Sequence, residues 1–421
     1  MKTVFGIDFG TKNSALAIGR EGRVEIANVS GFQKGNGTIP SAIYFHPNGE
    51  VFVGQDAIDE YMYNNHEGRL FRAVKSLLKN ERKGFYLINK KPYSLEQLIG
   101  LLLRVIKQRG EEIVQEQIND VVIGRPVIFS DNKEMDKAAE RRLTDAAISA
   151  GFKNVVFVFE PVAAALAFQQ SEQTNGEQIV LICDIGGGTS DFAIIKLPAS
   201  TDVFNISKYS ILSLGGAYIG GDDFDSDIMQ TKMIKYYGAD AQVLGESNEW
   251  LPVPHSLYLS LCRWHLIPDL RESKTREIIS QIRSRCNDLE ALRRFEDLVD
   301  SNYGYELFQQ IEVAKVAVSS NSESKIMFRE GLSDIKETLT RTDFEKAIKN
   351  RVTEMNLCVE QTISDAGISV ANIDKIFITG GSSQIPIIRQ LFLEKFGEEK
   401  VVQNDVLTAV ARGLGIHATR L

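Results

Sequence analysis

Cysteine is scarce and unpatterned in this chain: Cys183, Cys262, Cys286 and Cys358 are scattered without C-x-x-C spacing. That argues against a disulfide framework or a zinc ribbon and suits thiols in a reducing compartment. The five histidines, His46, His66, His255, His265 and His417, show no metal-ligand spacing either. Positive charge is not in excess. With 48 basic against 56 acidic residues the formal charge is −8, which argues against a nucleic-acid backbone or an anionic membrane as the main partner. No run of eighteen apolar residues is present to cross a bilayer. Folded pattern begins almost at Met1 without the charged and apolar regions of a signal peptide, so a cytoplasmic location is expected. Two common nucleotide signatures are also missing. No G-x-x-x-x-G-K-[ST] loop runs into a helix, and no G-x-G-x-x-G opens one.

What the chain does have is length and apolar content: 421 residues, 43% hydrophobic, enough for about three domain-sized units with sizeable cores. It is organised around residues 180–195, VLICDIGGGTSDFAII. Both apolar arms are too short for helices, and three consecutive glycines permit a sharp reversal, so the stretch reads as strand, tight turn, strand. Glycines leave backbone N–H groups bare to wrap a phosphate, while Asp184 and Asp191 offer hard oxygens for Mg²⁺. An ordinary glycine-rich hairpin would read the same way. The odds shift at the N-terminus, where residues 4–18, VFGIDFGTKNSALAI, repeat the pattern. An offset of 176 residues places Asp8 on Asp184, Gly10 on Gly186, Ser14 on Ser190 and Ala17 on Ala193 without a gap. Two such turns point to an internally duplicated fold with a phosphate clamp on each side of a cleft.

Other elements follow in order. Residues 38–52 read as extended, with Pro47, Asn48 and Gly49 as a hairpin turn. Ser94 and Gln97 form a capping box ahead of an apolar stripe at helical spacing. Residues 121–129 read as a buried strand interrupted by Gly124, Arg125 and Pro126, and an alanine-rich helix follows to about Ala150. Residues 155–159 read as another buried strand, ended by Glu160 and Pro161 at the start of a helix. The two glycine pairs and carboxylates of residues 214–225 read as a turn, either solvated or functional. Residues 248–298 read as an apolar portion followed by a charged helical one, with packing between helices as the default. Residues 308–320 read as a helix with Glu312, Lys315 and Ser319 on one face. A strand over residues 375–379 runs into Gly380 and Gly381, with a helix expected from 382 to 396 whose N-terminal amides suit a nucleoside or phosphate oxygen.

Taken together, the motifs resemble the DnaK-type heat-shock chaperones, the Hsp70 family. GIDFGTKNS at Gly6, LFRAVKSLLK at Leu70, FEPVAAALAF at Phe159, CDIGGGTSDF at Cys183, IGGDDFD at Ile219, EVAKVAVS at Glu312, TRTDFE at Thr340 and ITGGSSQIP at Ile378 occur in that family's order. The likeness covers nearly the whole chain except about 240–305, and it is nearest to the short bacterial YegD-type branch that consists of the ATPase region alone. It implies an α/β, actin-like ATPase fold of two lobes, each with a duplicated ribonuclease-H-like core. Lobe I would hold residues 1–173 and 403–421 with an outer subdomain at 38–104. Lobe II would hold 174–402 with an outer subdomain at 222–339. The cofactors implied are ATP or ADP and Mg²⁺.

Carried over by the resemblance, Asp8 and Asp184 would orient Mg²⁺ through its waters. Gly10, Thr11 and Lys12 would clamp the β-phosphate, and Gly186, Gly187, Gly188 and Thr189 the γ-phosphate. Lys75 would stabilise transferred phosphoryl charge or position water, with Glu160 and Asp191 helping to hold metal and nucleophile. Glu312, Lys315 and Ser319 would contact the nucleoside, with Gly380, Gly381 and Ser382 beneath the adenine. Pro126 matches the proline that relays nucleotide state. Two departures bear on the base. The arginines that sandwich adenine in the family fall on Val316 and Gln384, so weaker or differently selective base binding is expected, each lost contact being worth about 0.5–2 kcal/mol. Lys12 replaces a threonine and adds positive charge near the phosphates.

The function implied is Hsp70-like: ATP binding and slow hydrolysis coupled to lobe closure, acting on another protein, a client or a co-chaperone. Because the chain ends at Leu421, ahead of any apolar linker or β-rich domain, peptide binding by that route is not expected. Three other classes share the paired clamps. A sugar-type kinase needs an aspartate base and a polyol pocket, and no such base is located. A filament or scaffold protein needs an assembly surface, and a degenerate ATPase would bind without turnover.

Overall fold

In the computed structural model, which describes residues 2–31, 37–79, 85–130, 132–172, 176–199, 209–403 and 407–421, the two repeated stretches are matching hairpins in two mixed β-sheets. The chain divides into two compact units, Met1–Gly221 with Thr353–Leu421, and Asp222–Val352. Both sheets belong to the first unit. One is built from β1 (Val4–Asp8), β2 (Asn13–Arg20), β3 (Arg23–Ala27), β4 (Asp120–Arg125) and β5 (Asn154–Phe159), in the order β5-β4-β1-β2-β3. The other is built from β6 (Gln178–Ile185), β7 (Ser190–Leu197), β8 (Ser210–Ala217), β9 (Lys375–Thr379) and β10 (Val401–Val402), in the order β8-β7-β6-β9-β10. Each sheet has three antiparallel strands, with two more added in parallel beside the first, and the first sheet gains a sixth strand, Thr38–Pro40, antiparallel to part of β2. Their leading strands are nearly continuous apolar runs because both faces are covered: Val4, Phe5 and Ile7, like Val180, Leu181 and Ile182, are buried.

The repeat extends to register. Val4 pairs with Gly19 and Asp8 with Ala15, while Val180 pairs with Ile195 and Asp184 with Asp191. These are the same pairs under the 176-residue offset. Register in a buried hairpin is strongly specified, because a slip of one residue would turn every apolar side chain to the wrong face.

Helices cover the sheets where their sequences carry start signals. Helix α1 (Leu95–Val114) opens on the expected box, Gln97 N–H donating to Ser94 Oγ at 3.2 Å and Ser94 N–H to Gln97 Oε1 at 2.8 Å. Asn132 caps α2 (Lys133–Ser149) through the Glu134 N–H at 2.9 Å. Helix α3 (Glu160–Ser171) follows β5 directly, with Pro161 in its first turn. It packs on β6 and β7 of the other sheet and on the C-terminal helix Ala409–Ala418, which also covers β1, β2 and β4. Small residues make that contact: Ala163, Ala164 and Ala165 are fully buried, and a Cβ on Gly413 would stand 1.7 Å from the Ala163 carbonyl oxygen.

Two expectations are corrected. Gly215 and Gly216 do not form a turn; they lie inside β8, where a Cβ on Gly215 would meet Thr362 Oγ1 at 2.0 Å. Gly215 therefore serves close packing against the helix Arg341–Asp365, while a Cβ on Gly216 would meet Ile128 Cγ1 at 3.1 Å and Asp191 Oδ1 at 3.4 Å. After β9 the chain makes a 3₁₀ turn, Gly381–Gln384, and the helix begins only at Pro386 (Pro386–Phe396). Ile385 is held extended at φ −69°, ψ 125°, as the residue before a proline prefers.

The second unit contains α4 (Gly304–Ser320), the hairpin Glu323–Glu330 with Ser333–Thr340, and helices His255–Leu261, Ser273–Arg283 and Leu289–Asp300. Much of the apolar part of residues 240–305 is core here, with Leu257, Leu261, Ile267 and Leu270 buried and Tyr258 buried edge-on against Phe295, ring centroids 5.9 Å apart, while Leu251 and Leu259 are exposed. The charged part lies outside it, with exposed ion pairs such as Arg276 to Asp300 at 2.7 Å, which contribute little to stability.

Gly413→Ala is expected to lower stability by at least about 1–3 kcal/mol, since backbone must move to admit the methyl. Gly176→Ala, with nothing within 4 Å of its Cβ, serves as the control and should stay within about 0.5 kcal/mol of wild type. Thermal melts of the two variants check this, and equal midpoints would refute the interlock.

Candidate active site

Each hairpin delivers an aspartate and a glycine turn to one place in the first unit. Asp8 ends β1, with Gly10, Thr11 and Lys12 in the turn beyond it, and Asp184 lies one residue from the end of β6, before Gly186, Gly187, Gly188 and Thr189. The turns are braced alike. Ser41 Oγ donates to the Gly10 carbonyl at 2.8 Å, and Ser382 Oγ donates to the Gly186 carbonyl at 2.8 Å, which also accepts the Gly221 N–H at 3.1 Å. A trans peptide sends its C=O and the following N–H to opposite sides. Fixing the Gly10 and Gly186 carbonyls inward therefore turns the Thr11 and Gly187 amides away from the braces, available to an anion. Buried serines anchor both turns from below, Ser14 Oγ lying 2.9 Å from Ser41 Oγ and Ser190 Oγ donating to the Ile219 carbonyl at 2.7 Å. The turns also touch. A Cβ on Gly187 would lie 3.0 Å from Lys12 Cγ, and one on Gly188 would lie 2.9 Å from Thr11 Oγ1, so only glycine lets the first turn's side chains rest on the second.

Between them lies a buried ionisable cluster. Lys75 sits on the 3₁₀ turn Val74–Lys79, entered through Ala73 at the unusual φ of 58°, a strain of about 1–3 kcal/mol that the surroundings must hold. Its Nζ is 2.5 Å from Glu160 Oε1, and both side chains are 7% exposed. Asp191 Oδ1 accepts the Val127 N–H at 2.7 Å. Burial first, and the charge of Glu160 second, push Asp8 and Asp191 up to about 7 against the pull of Lys75; the Val127 N–H also opposes the shift at Asp191. Burial likewise raises Asp184 well above the usual carboxylate range, with Glu160, Asp8 and Asp191 adding to it. For Lys75, burial works against the charge, but Glu160, Asp8 and Asp191 outweigh it and hold the ammonium above its ordinary value. A cavity of about 30 Å³, lined by Thr11, Lys75, Ser76, Pro126, Gly188 and Thr189, adjoins the cluster, room for a water molecule.

The donor set fits a hydrated divalent cation. Among the described residues no three Asp, Glu, His or Cys side chains converge closely enough to hold a metal directly. Hard carboxylates short of positive charge suit Mg²⁺, which keeps most of its waters and takes only one or two protein ligands.

The remaining candidates are placed as follows. Gly380 has φ 83°, and Ser382 is buried with its hydroxyl on the second turn, so it acts there as a brace. Glu312, Lys315 and Ser319 share α4 in the second unit, as their spacing implies. Lys315 is buried in an ion pair with Asp225 at 2.7 Å, and Ser319 Oγ bonds the Lys315 carbonyl at 2.9 Å. Val316 is 63% exposed. Sequence reasoning missed the Val127 amide, which carries no side-chain signature, and the brace Ser41; it named Ser382 as a neighbour of the base but not as a brace of the second turn. It also missed Asp225 as partner of Lys315, although the IGGDDFD run contained it.

Two mixed sheets of one strand order, each ending an Asp-bearing strand in a glycine turn, define an actin-like ATPase fold. Comparison with known proteins gives the family. The Hsp70 protein family model matches residues 4–243 and 293–421. The chain is 29% identical over 427 residues to chaperone protein DnaK of Thermosipho melanesiensis and, equally, to that of Thermosipho africanus, in each case over 99% of this chain and 59% of the relative. It belongs to the Hsp70 family and spans 59% of the length of these curated relatives. The stretch left unmatched, 244–292, falls within the region that lacked family motifs.

The cluster gives a pH signature. Asp8 and Asp191 titrate near 7 in the folded protein against an ordinary 3.8, so the native state keeps protons that the unfolded chain has already released. Their contribution to stability is present below about pH 4 and is lost as pH rises through about 7. In metal- and nucleotide-free protein, Asp8→Asn should flatten the fall in melting temperature between pH 5 and 8. Identical pH slopes for wild type and Asp8→Asn would contradict this account of the cluster.

Proposed function

We propose that the chain is an Hsp70-type nucleotide switch that binds ATP, hydrolyses it slowly and signals nucleotide state to another protein through closure of its lobes. The observation that carries this reading is the pair of glycine turns in identical register, braced alike and facing one buried cluster of Asp8, Lys75, Glu160, Asp184 and Asp191. Amides of Gly10, Thr11 and Lys12 hold the β-phosphate, with the Lys12 ammonium adding charge. Gly186, Gly187, Gly188 and Thr189 hold the γ-phosphate. Asp8 and Asp184 would hold Mg²⁺, whose charge would offset the phosphates. Asp191 and Glu160 orient the attacking water, and Lys75, kept cationic by Glu160, stabilises charge on the transferred phosphoryl group as the bond to the ADP oxygen breaks. Glu312, Lys315 and Ser319 serve the nucleoside, with Gly380, Gly381 and Ser382 beneath the base. With Val316 and Gln384 in place of arginines, base affinity is low.

The shared strand order and register support a duplicated ribonuclease-H-like core. We infer lobes at 1–173 with 403–421, and 174–402, carrying outer subdomains at 38–104 and 222–339. We further infer a YegD-like branch, a cytoplasmic site of action and a protein client or co-chaperone as partner.

Calorimetric titration with Mg·ATP and Mg·ADP followed by single-turnover hydrolysis tests the reading. Binding in the micromolar range with slow phosphate release is expected, and no binding below millimolar concentration overturns it. Binding without release would favour a scaffold, and ATP consumption stimulated by a sugar would favour a kinase. Lys75→Ala should abolish hydrolysis while ATP still binds. Because that variant leaves Glu160 buried and unpaired, at a cost of about 3–5 kcal/mol, the Lys75→Ala/Glu160→Gln double variant is measured beside it. An unchanged rate would remove Lys75 from the chemistry.

A further inference from the structure

Arg125 has no part in the mechanism above, yet it is 11% exposed and fully engaged. It ends β4, one residue before Pro126. Its Nη2 donates to Asp136 Oδ1 and Oδ2 at 3.1 and 3.0 Å, and its Nη1 donates to Glu140, both acids standing on α2. Its Nε donates to the Pro126 carbonyl at 3.1 Å and Nη2 reaches the Val127 carbonyl at 3.4 Å. The guanidinium carbon lies 5.0 Å from the Phe129 ring centre and 5.1 Å from that of Phe159. Asp136 Oδ1 also takes the Phe129 N–H at 2.6 Å. Only a planar fork can meet two acids at its edge while its faces rest on aromatic rings; a lysine has neither the plane nor the donors.

Two paths lead from this group to the buried cluster. Residues 126–129, held by Arg125 and Asp136, present the Val127 N–H to Asp191 at 2.7 Å. Phe159 is the residue that precedes Glu160 at the start of α3, and Glu160 holds Lys75 at 2.5 Å. Arg125 touches none of the reacting groups, but it fixes the backbone that places one carboxylate and the ring beside the other.

We propose that Arg125 is a positioning residue, setting Asp191 through Val127 and Glu160 through Phe159, so that its loss slows turnover far more than it weakens nucleotide binding. This rests on the ATPase reading, and the test separates the two. Arg125→Met, Arg125→Lys and the Asp136→Asn/Glu140→Gln pair are compared in the full chain for Mg·ATP affinity, single-turnover rate, melting temperature and hydrogen exchange at the Val127 amide.

The expected pattern is an affinity within about threefold of wild type, a rate at least about tenfold lower and a Val127 amide exchanging at least about tenfold faster. Lysine should not rescue, and the carboxamide pair should reproduce the loss with Arg125 intact. A general loss of fold would instead move melting temperature, affinity and rate together. Wild-type exchange at Val127 in these variants, or a rate that falls only in step with affinity, overturns the proposal. If wild type releases no phosphate, the ATPase reading fails, while Val127 exchange still decides the role of Arg125. Should Arg125→Met not fold, Arg125→Lys and the carboxamide pair carry the same readouts.

Discussion

Four carboxylates, Asp8, Glu160, Asp184 and Asp191, share a single buried ammonium, and this imbalance of charge governs the first unit. Burial and the neighbouring negative charge raise Asp8, Asp184 and Asp191, and the one close pair, Lys75 with Glu160, cannot neutralise these three. Such a cluster holds together only by keeping protons or by admitting a cation. Protons exchanged for a divalent ion, and the ion for a phosphate-bearing complex, would place ligand binding and local stability in one equilibrium. A site built this way is poised to respond to occupancy because it is unsatisfied without it.

Accuracy in that cluster comes from elements that stand well outside it. The hairpins set Asp8 and Asp184 at equivalent heights, and paired serine braces turn equivalent carbonyls inward. Helix α3 rises from the end of one sheet and packs on the other, so Glu160 is held by both at once. The Arg125 fork ties α2 into the same arrangement. Each support is a backbone position, a short side chain or, in Arg125, a planar fork whose partners fix it, which is what preorganised electrostatics requires.

Much of this was legible in the sequence because it is local. The 176-residue repeat foretold both hairpins but not their equal register, which follows because side-chain alternation in a two-faced strand leaves no freedom to slip. Ser94 with Gln97 marked a helix start, and Pro161 marked another. What could not be read is what depends on distant neighbours. Gly215 and Gly216 look like a turn until Thr362 is known to press on the first and Ile128 on the second. Val127 offers a bare amide that no residue type advertises. Lys315 sits at a helical spacing that suits a ligand, but its partner Asp225 emerges only when the second unit is folded. The late helix start at Pro386 was in principle readable, because the residue before proline resists helical geometry.

The interlock of Gly413 with Ala163 has a consequence for synthesis. The helix Ala409–Ala418 covers β1, β2 and β4 and braces α3, yet at about 5–20 residues per second it leaves the ribosome on the order of 20–80 s after the first strand. Through that interval the earliest hairpin must wait with an apolar face uncovered, a long-range dependence that slows folding and exposes the nascent chain to mispairing. A protein of a chaperone family is thus itself a demanding client while it is being made.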